Sequence, residues 1–69
     1  MTTLYYITFW NGKDDKPVFE DAISGNERDR WNKEVWENYG KWRKEKEGIE
    51  ADWFVVEDAY SLAKVEVEI

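Results

Sequence analysis

The chain contains no cysteine and no histidine. The first absence excludes a disulfide framework and thiolate metal sites. Together the two remove the commonest general base and the most reactive nucleophile from the catalytic repertoire. Four scattered glycines match neither a phosphate-cradling loop nor a dinucleotide fingerprint. Hydroxyls are few, at Thr2, Thr3, Thr8, Ser24 and Ser61, and no Ser-x-x-Lys or Gly-x-Ser-x-Gly motif accompanies them. Neighbouring acids occur at Asp14-Asp15, Glu20-Asp21 and Glu57-Asp58, without calcium-loop spacing. Glycosidase chemistry needs two carboxylates about 5–10 Å apart across a cleft. A chain of 69 residues hardly forms one, so these acids read as solvated turns. The expectation is a protein without catalysis, metal or cofactor.

Long hydrophobic runs are missing too. The apolar stretch at positions 4–10 is too short for a signal-peptide core or a membrane span, and no basic region precedes it. No Asn-x-Ser/Thr sequon occurs, and the bland expectation is a cytoplasmic protein with no membrane partner. Basic residues are in deficit, ten against sixteen acids, giving a net charge of −6. Such a balance repels nucleic acid and anionic membranes on average and favours basic partners.

Aromatic bulk is what the chain has in quantity: five Trp, four Tyr and three Phe. Each ring buries about 150–250 Å². That matters in one small domain, which buries only about 60% of the surface its unfolded chain exposes. Some of these rings must stay exposed, because so small a core has few interior positions.

Positions 4–10 are aromatic and β-branched and read as a strand with two apolar faces, Leu4, Tyr6 and Trp10 on one and Tyr5, Ile7 and Phe9 on the other. Asn11-Gly12 is a tight-turn signal that widens into a loop. Pro17, Val18 and Phe19 make a short second strand, with the proline at its start or on an edge. Ser24 and Glu27 fit a capping box, with Asn26 and Asp29 as a competing start, so the spacing predicts a helix over 25–47, roughly 33 Å long. At about 100° per residue, Trp31, Val35, Tyr39 and Trp42 form the stripe expected to face the core, with Gly40 opposite. Gly48 stands where a left-handed C-cap belongs, after Lys44 and Lys46. Positions 53–56 read as a strand, 58–61 as a turn. Ala63, Val65, Val67 and Ile69 then alternate with Lys64, Glu66 and Glu68 as a half-buried strand. The fold class expected is α+β: a three- or four-stranded, mostly antiparallel sheet with one long amphipathic helix on one face, all in a single domain.

Positions 18–24 and 55–61 share five of seven residues, which would make Asp21 and Asp58 equivalent caps of a duplicated corner. In so short a chain coincidence is the plainer reading.

Charge is unevenly distributed. The helix region 27–47 holds seven of the ten basic residues and six acids, whereas 49–69 holds six acids and Lys64 alone. The acids Asp14, Asp15, Glu20 and Asp21 of the preceding loop join Glu50, Asp52, Glu57, Asp58, Glu66 and Glu68 as the candidate protein-binding surface. Glu66 and Glu68 lie about 6.5–7 Å apart along one strand face, comparable in order of magnitude to phosphate spacing, so they suit a basic groove on a nucleic-acid-handling complex. Taken singly, they read more simply as charges that keep the outer face of an edge strand soluble and unpaired. In gross size and charge, and in no motif, the chain is similar to the small inhibitors that phages carry against host nucleases and defence complexes. The alternative site is on the helix, where Lys33, Trp36, Arg43 and Lys44 would stack and neutralise single-stranded nucleic acid. Glu34, Glu37, Glu45 and Glu47 on the same helix oppose it. A homodimer formed through the open edge at 64–69 is compatible with either.

Overall fold

The computed structural model describes residues 2–13, 15–26 and 32–69. Four strands and a helix follow one another as β1 (Thr2–Trp10), β2 (Phe19–Asn26), α1 (Lys33–Glu47), β3 (Trp53–Asp58) and β4 (Lys64–Glu68). The sheet order is β2-β1-β3-β4 and every pair is antiparallel, with α1 packed on one face. This is the expected α+β class, with the sheet four-stranded.

Period-two alternation decides which residues face the helix. In register, Phe9 pairs with Phe19 and Phe54, Ile7 with Val56, and Phe54 with Val67. Tyr5, Ile7, Phe9, Phe54, Val56 and Val67 are all buried, and Ile49 and Ala51 seal the end where the helix turns into β3. Phe9 and Phe54 stack at 5.1 Å, while Tyr5 meets Trp36 edge-on at 4.9 Å. Rings of this size fill a small core with few residues.

Two expectations about the helix are corrected. It spans 15 residues, about 22 Å, rather than 25–47. Ser24, Gly25 and Asn26 instead complete β2, opposite Leu4, Thr3 and Thr2. The N-cap is Asn32, whose Oδ1 accepts from the Val35 N–H at 3.3 Å. Glu27, Asp29 and Trp31, invoked for the capping alternatives and the core stripe, lie outside the described residues.

The core-facing side also differs. Trp36 and Gly40 are buried, whereas Val35 is 38% and Trp42 53% exposed. Gly40 explains the rotation: a Cβ there would sit 2.2 Å from Phe54 Cε1, so only glycine lets the helix come this close to the sheet. Trp36, one turn earlier, then points at Tyr5. Gly48 does take the left-handed cap, with φ 65°, and the Ile49 N–H donates to Lys44 O at 2.9 Å.

Candidate functional site

The face of the sheet away from α1 has no layer over it among the described residues. β1 contributes Leu4, Tyr6, Thr8 and Trp10, and β3 contributes Trp53, Val55 and Glu57. Trp10 and Trp53 stack across the strands at 5.4 Å with planes 11° apart. The Trp10 indole N–H donates to Thr8 Oγ1 at 3.1 Å, which fixes that ring. Tyr6 remains 49% exposed.

Carboxylates flank this aromatic strip from both edges. One cross-strand row runs Glu20–Thr8–Val55–Glu66, placing two exposed carboxylates about 14 Å apart, three strand spacings, with the apolar strip between. Glu68 lies opposite Trp53 and Glu57 opposite Tyr6. Lys64 is the only cation on this face among the described residues, and its 3.9 Å approach to Glu57 is a loose, solvated pair.

The ten acids assigned from sequence therefore divide. Glu20, Glu57, Glu66 and Glu68 share the open face. Glu50 and Asp52 lie at the end of the sheet beside the loop following β1: Asp52 accepts the Gly12 N–H at 2.9 Å, and Asn11 reaches Glu50 O at 3.4 Å. Asp15 is exposed in that loop, and Asp14 lies outside the described residues. Glu20 and Asp21 belong to β2 rather than to a loop.

Asp21 and Asp58 lie apart from the open face. Strand alternation turns Asp21 to the helix side, where its carboxylate takes Arg43 Nη2 at 2.6 Å. That bond, helped by the Ala22 N–H, holds its pKa below the ordinary carboxylate value. Asp58 is 1% exposed and offers nothing to a partner. Its Oδ1 accepts from Tyr60 N–H at 2.8 Å and Ser61 N–H at 3.1 Å, organising the turn into β4. Leu62, at φ 62°, closes that turn. Asp21 lies within β2 and pairs with Arg43, whereas Asp58 ends β3 and caps the turn after it, so the two similar segments do not play equivalent parts.

The alternative helix site loses its stacking element, because Trp36 is 4% exposed beneath α1. Arg43 is also occupied. It bonds Asp21 and the Tyr39 hydroxyl, the latter at 3.0 Å, and lies 5.1 Å from the Phe19 ring centroid. Partial burial works against its charge, but the bonds to Asp21 and Tyr39 outweigh it and raise its pKa. Burial likewise raises the Tyr39 pKa, with the Arg43 bond partly opposing. Arg43 Nε approaches Glu47 Oε1 at 3.4 Å without forming a hydrogen bond. Arg43 thus ties helix to β2. Lys33 stays exposed and Lys44 half-exposed, and the exposed Trp42 ring lies under Lys46 Nζ at 4.7 Å.

Sequence reasoning placed Leu4, Tyr6 and Trp10 on one face but missed Trp53 as their partner. The signal was parity: Trp53 precedes the buried Phe54 as Trp10 follows the buried Phe9. Among the described residues, no helix is long and apolar enough to cross a membrane. No family model, curated protein or solved structure matches this chain.

Proposed function

We propose that this protein is a non-catalytic binding domain that holds a basic protein surface against the open face of its sheet. The observation that carries the reading is the placement of Glu20, Glu57, Glu66 and Glu68 around an uncovered strip containing Tyr6 and the Trp10–Trp53 pair. Protein interfaces are built this way, with aromatic anchors at the centre and a polar rim. Tryptophan and tyrosine faces attract arginine and lysine through cation–π contact, and the flanking carboxylates pair with the same side chains. A partner surface mixing basic and apolar groups fits both.

Grooves that bind nucleic acid are surfaces of that kind. The sharpest form of the proposal is an inhibitor, of the phage or mobile-element type, that occupies the nucleic-acid-binding surface of a host complex in the cytoplasm. Glu66 and Glu68 would stand in for backbone phosphates there.

The test is capture from native lysate, with and without nuclease, using tagged wild-type protein and the double variant Glu66→Lys/Glu68→Lys. A protein retained by the wild type after nuclease and lost from the variant is the expected result. Retention by both, recovery of nucleic acid alone, or recovery of only a second copy of this chain would refute the reading.

A further inference from the structure

β4 lies at one end of the sheet, and among the described residues one of its edges faces no other strand. The Asp58 N–H donates to Ala63 O at 2.9 Å and the Ile69 N–H to Asp52 O at 3.0 Å. These bonds bracket the β3–β4 ladder and mark residues 63, 65, 67 and 69 as its hydrogen-bonded positions. Antiparallel ladders alternate, so Lys64, Glu66 and Glu68 turn their main-chain N–H and C=O groups toward the free edge. None of the three takes a main-chain partner among the described residues outside the ladder.

A groove of about 550 Å³ lies along this edge, lined by Lys33 and Glu37 of α1 and by Trp53, Glu66, Val67 and Glu68 of the sheet. Past Glu68 a second cavity carries it on to Lys41 and Ile69. Lys33, Glu37 and Lys41 fall at four-residue intervals and form one row along the helix. Strand edge and helix row together make a channel with main-chain donors and acceptors on one side.

We propose that this edge receives an extended segment of the basic partner as a fifth strand. The inference rests on the acidic-surface reading above and adds the binding mode and the sequence pattern recognised. Strand addition draws affinity from main-chain hydrogen bonds and specificity from alternate side chains. On the open-face side, the added strand's residues lie beside Glu66 and Glu68, about 7 Å apart, so lysine or arginine at every second position matches them. On the helix side its residues lie beside the half-buried Val65 and Ile69, which suit apolar side chains, and across from the Lys33–Glu37–Lys41 row. The segment recognised therefore alternates basic and apolar residues. The charges that discourage indiscriminate edge pairing include Glu66 and Glu68, and these two select for this pattern.

Fluorescence anisotropy with defined peptides tests the mode. A labelled, end-capped peptide alternating lysine and valine is compared with one alternating lysine and glycine, of equal length and charge. A third probe is the lysine–valine peptide N-methylated at the main-chain positions of one edge. The lysine–valine peptide is expected to bind roughly tenfold or more tighter than either, since the N-methylated probe loses main-chain hydrogen bonds and the lysine–glycine probe loses its apolar side chains. Lys64→Pro keeps every carboxylate, removes one outward N–H at the first strand position, where proline is tolerated, and should weaken the lysine–valine peptide selectively. Equal binding of all three peptides overturns strand addition and leaves the acidic surface standing. Failure of every basic peptide to bind at low salt overturns both. The peptide comparison uses the unaltered protein, so it decides the matter even where Lys64→Pro does not fold.

Discussion

Along β1, odd-numbered Tyr5, Ile7 and Phe9 are sealed beneath α1, while even-numbered Leu4, Tyr6, Thr8 and Trp10 stay at the surface. Both sets are rich in aromatic carbon, yet among the described residues only one has a covering layer. On the covered face, glycine at position 40 and rings at 5, 9, 36 and 54 bring helix and sheet into contact. On the open face, rings stack on each other and are fringed by carboxylates. The comparison teaches that aromatic content alone does not mark a core. What separates the two faces is whether the neighbouring edge positions carry apolar or charged side chains: Val65, Val67 and Ile69 on one side of β4, Lys64, Glu66 and Glu68 on the other.

The comparison breaks most visibly at Phe54. Phe54→Ala should cost about 3–5 kcal/mol, enough to unfold much of the population, read as a lowered urea midpoint. Gly40→Ala comes next. Its new methyl meets the Phe54 ring, and the expected loss of about 1–3 kcal/mol exceeds the helix propensity gained. A stabilised Gly40→Ala protein would show that α1 does not rest on the sheet as described. Trp53→Ala, on the open face, should cost only about 1–2 kcal/mol, chiefly the stack on Trp10, while removing partner binding. A loss matching that of Phe54→Ala would make the open face a second core.

The smallest effect is at Asp21→Asn. The folded carboxylate has a lowered pKa because Arg43 binds its charged form, so its contribution is fully present above the unfolded value of about 3.9 and is lost as pH falls through the folded one. Wild type and variant should differ slightly in thermal midpoint near neutrality and converge in acid. A gap that persists at low pH would assign the pair another role.

The sheet's face assignments were legible where alternation was clean. β1 and β4 could be read residue by residue, and Gly48 announced the end of the helix. The short strand expected at 17–19 overlaps β2 only at Phe19, because Glu20, Asp21, Ala22, Ser24 and Gly25 have little strand character of their own. Pairing with β1 makes them a strand, a tertiary contact overriding local preference. The helix register failed for a related reason. Its largest apolar residues suggested one stripe, but the tightest contact is made by the residue with no side chain, Gly40, and a propensity argument counts that residue only as a cost. Within the site, the acids of β3 and β4 were visible from sequence. The burial of Asp58, the turning of Asp21 to the helix side and the Trp10–Trp53 pair all depend on register, which no single strand reveals.

The most direct test of the open face is a two-dimensional NMR titration with the lysine–valine peptide, followed at the backbone amides and at the five tryptophan indoles. Amide shifts should gather at Lys64, Glu66 and Glu68 along the β4 edge, and the neighbouring Trp53 indole should move while the Trp36 indole stays in place. Shifts confined to Val35, Trp42 and the outer helix surface would contradict the account and move the binding site to the opposite side of the molecule.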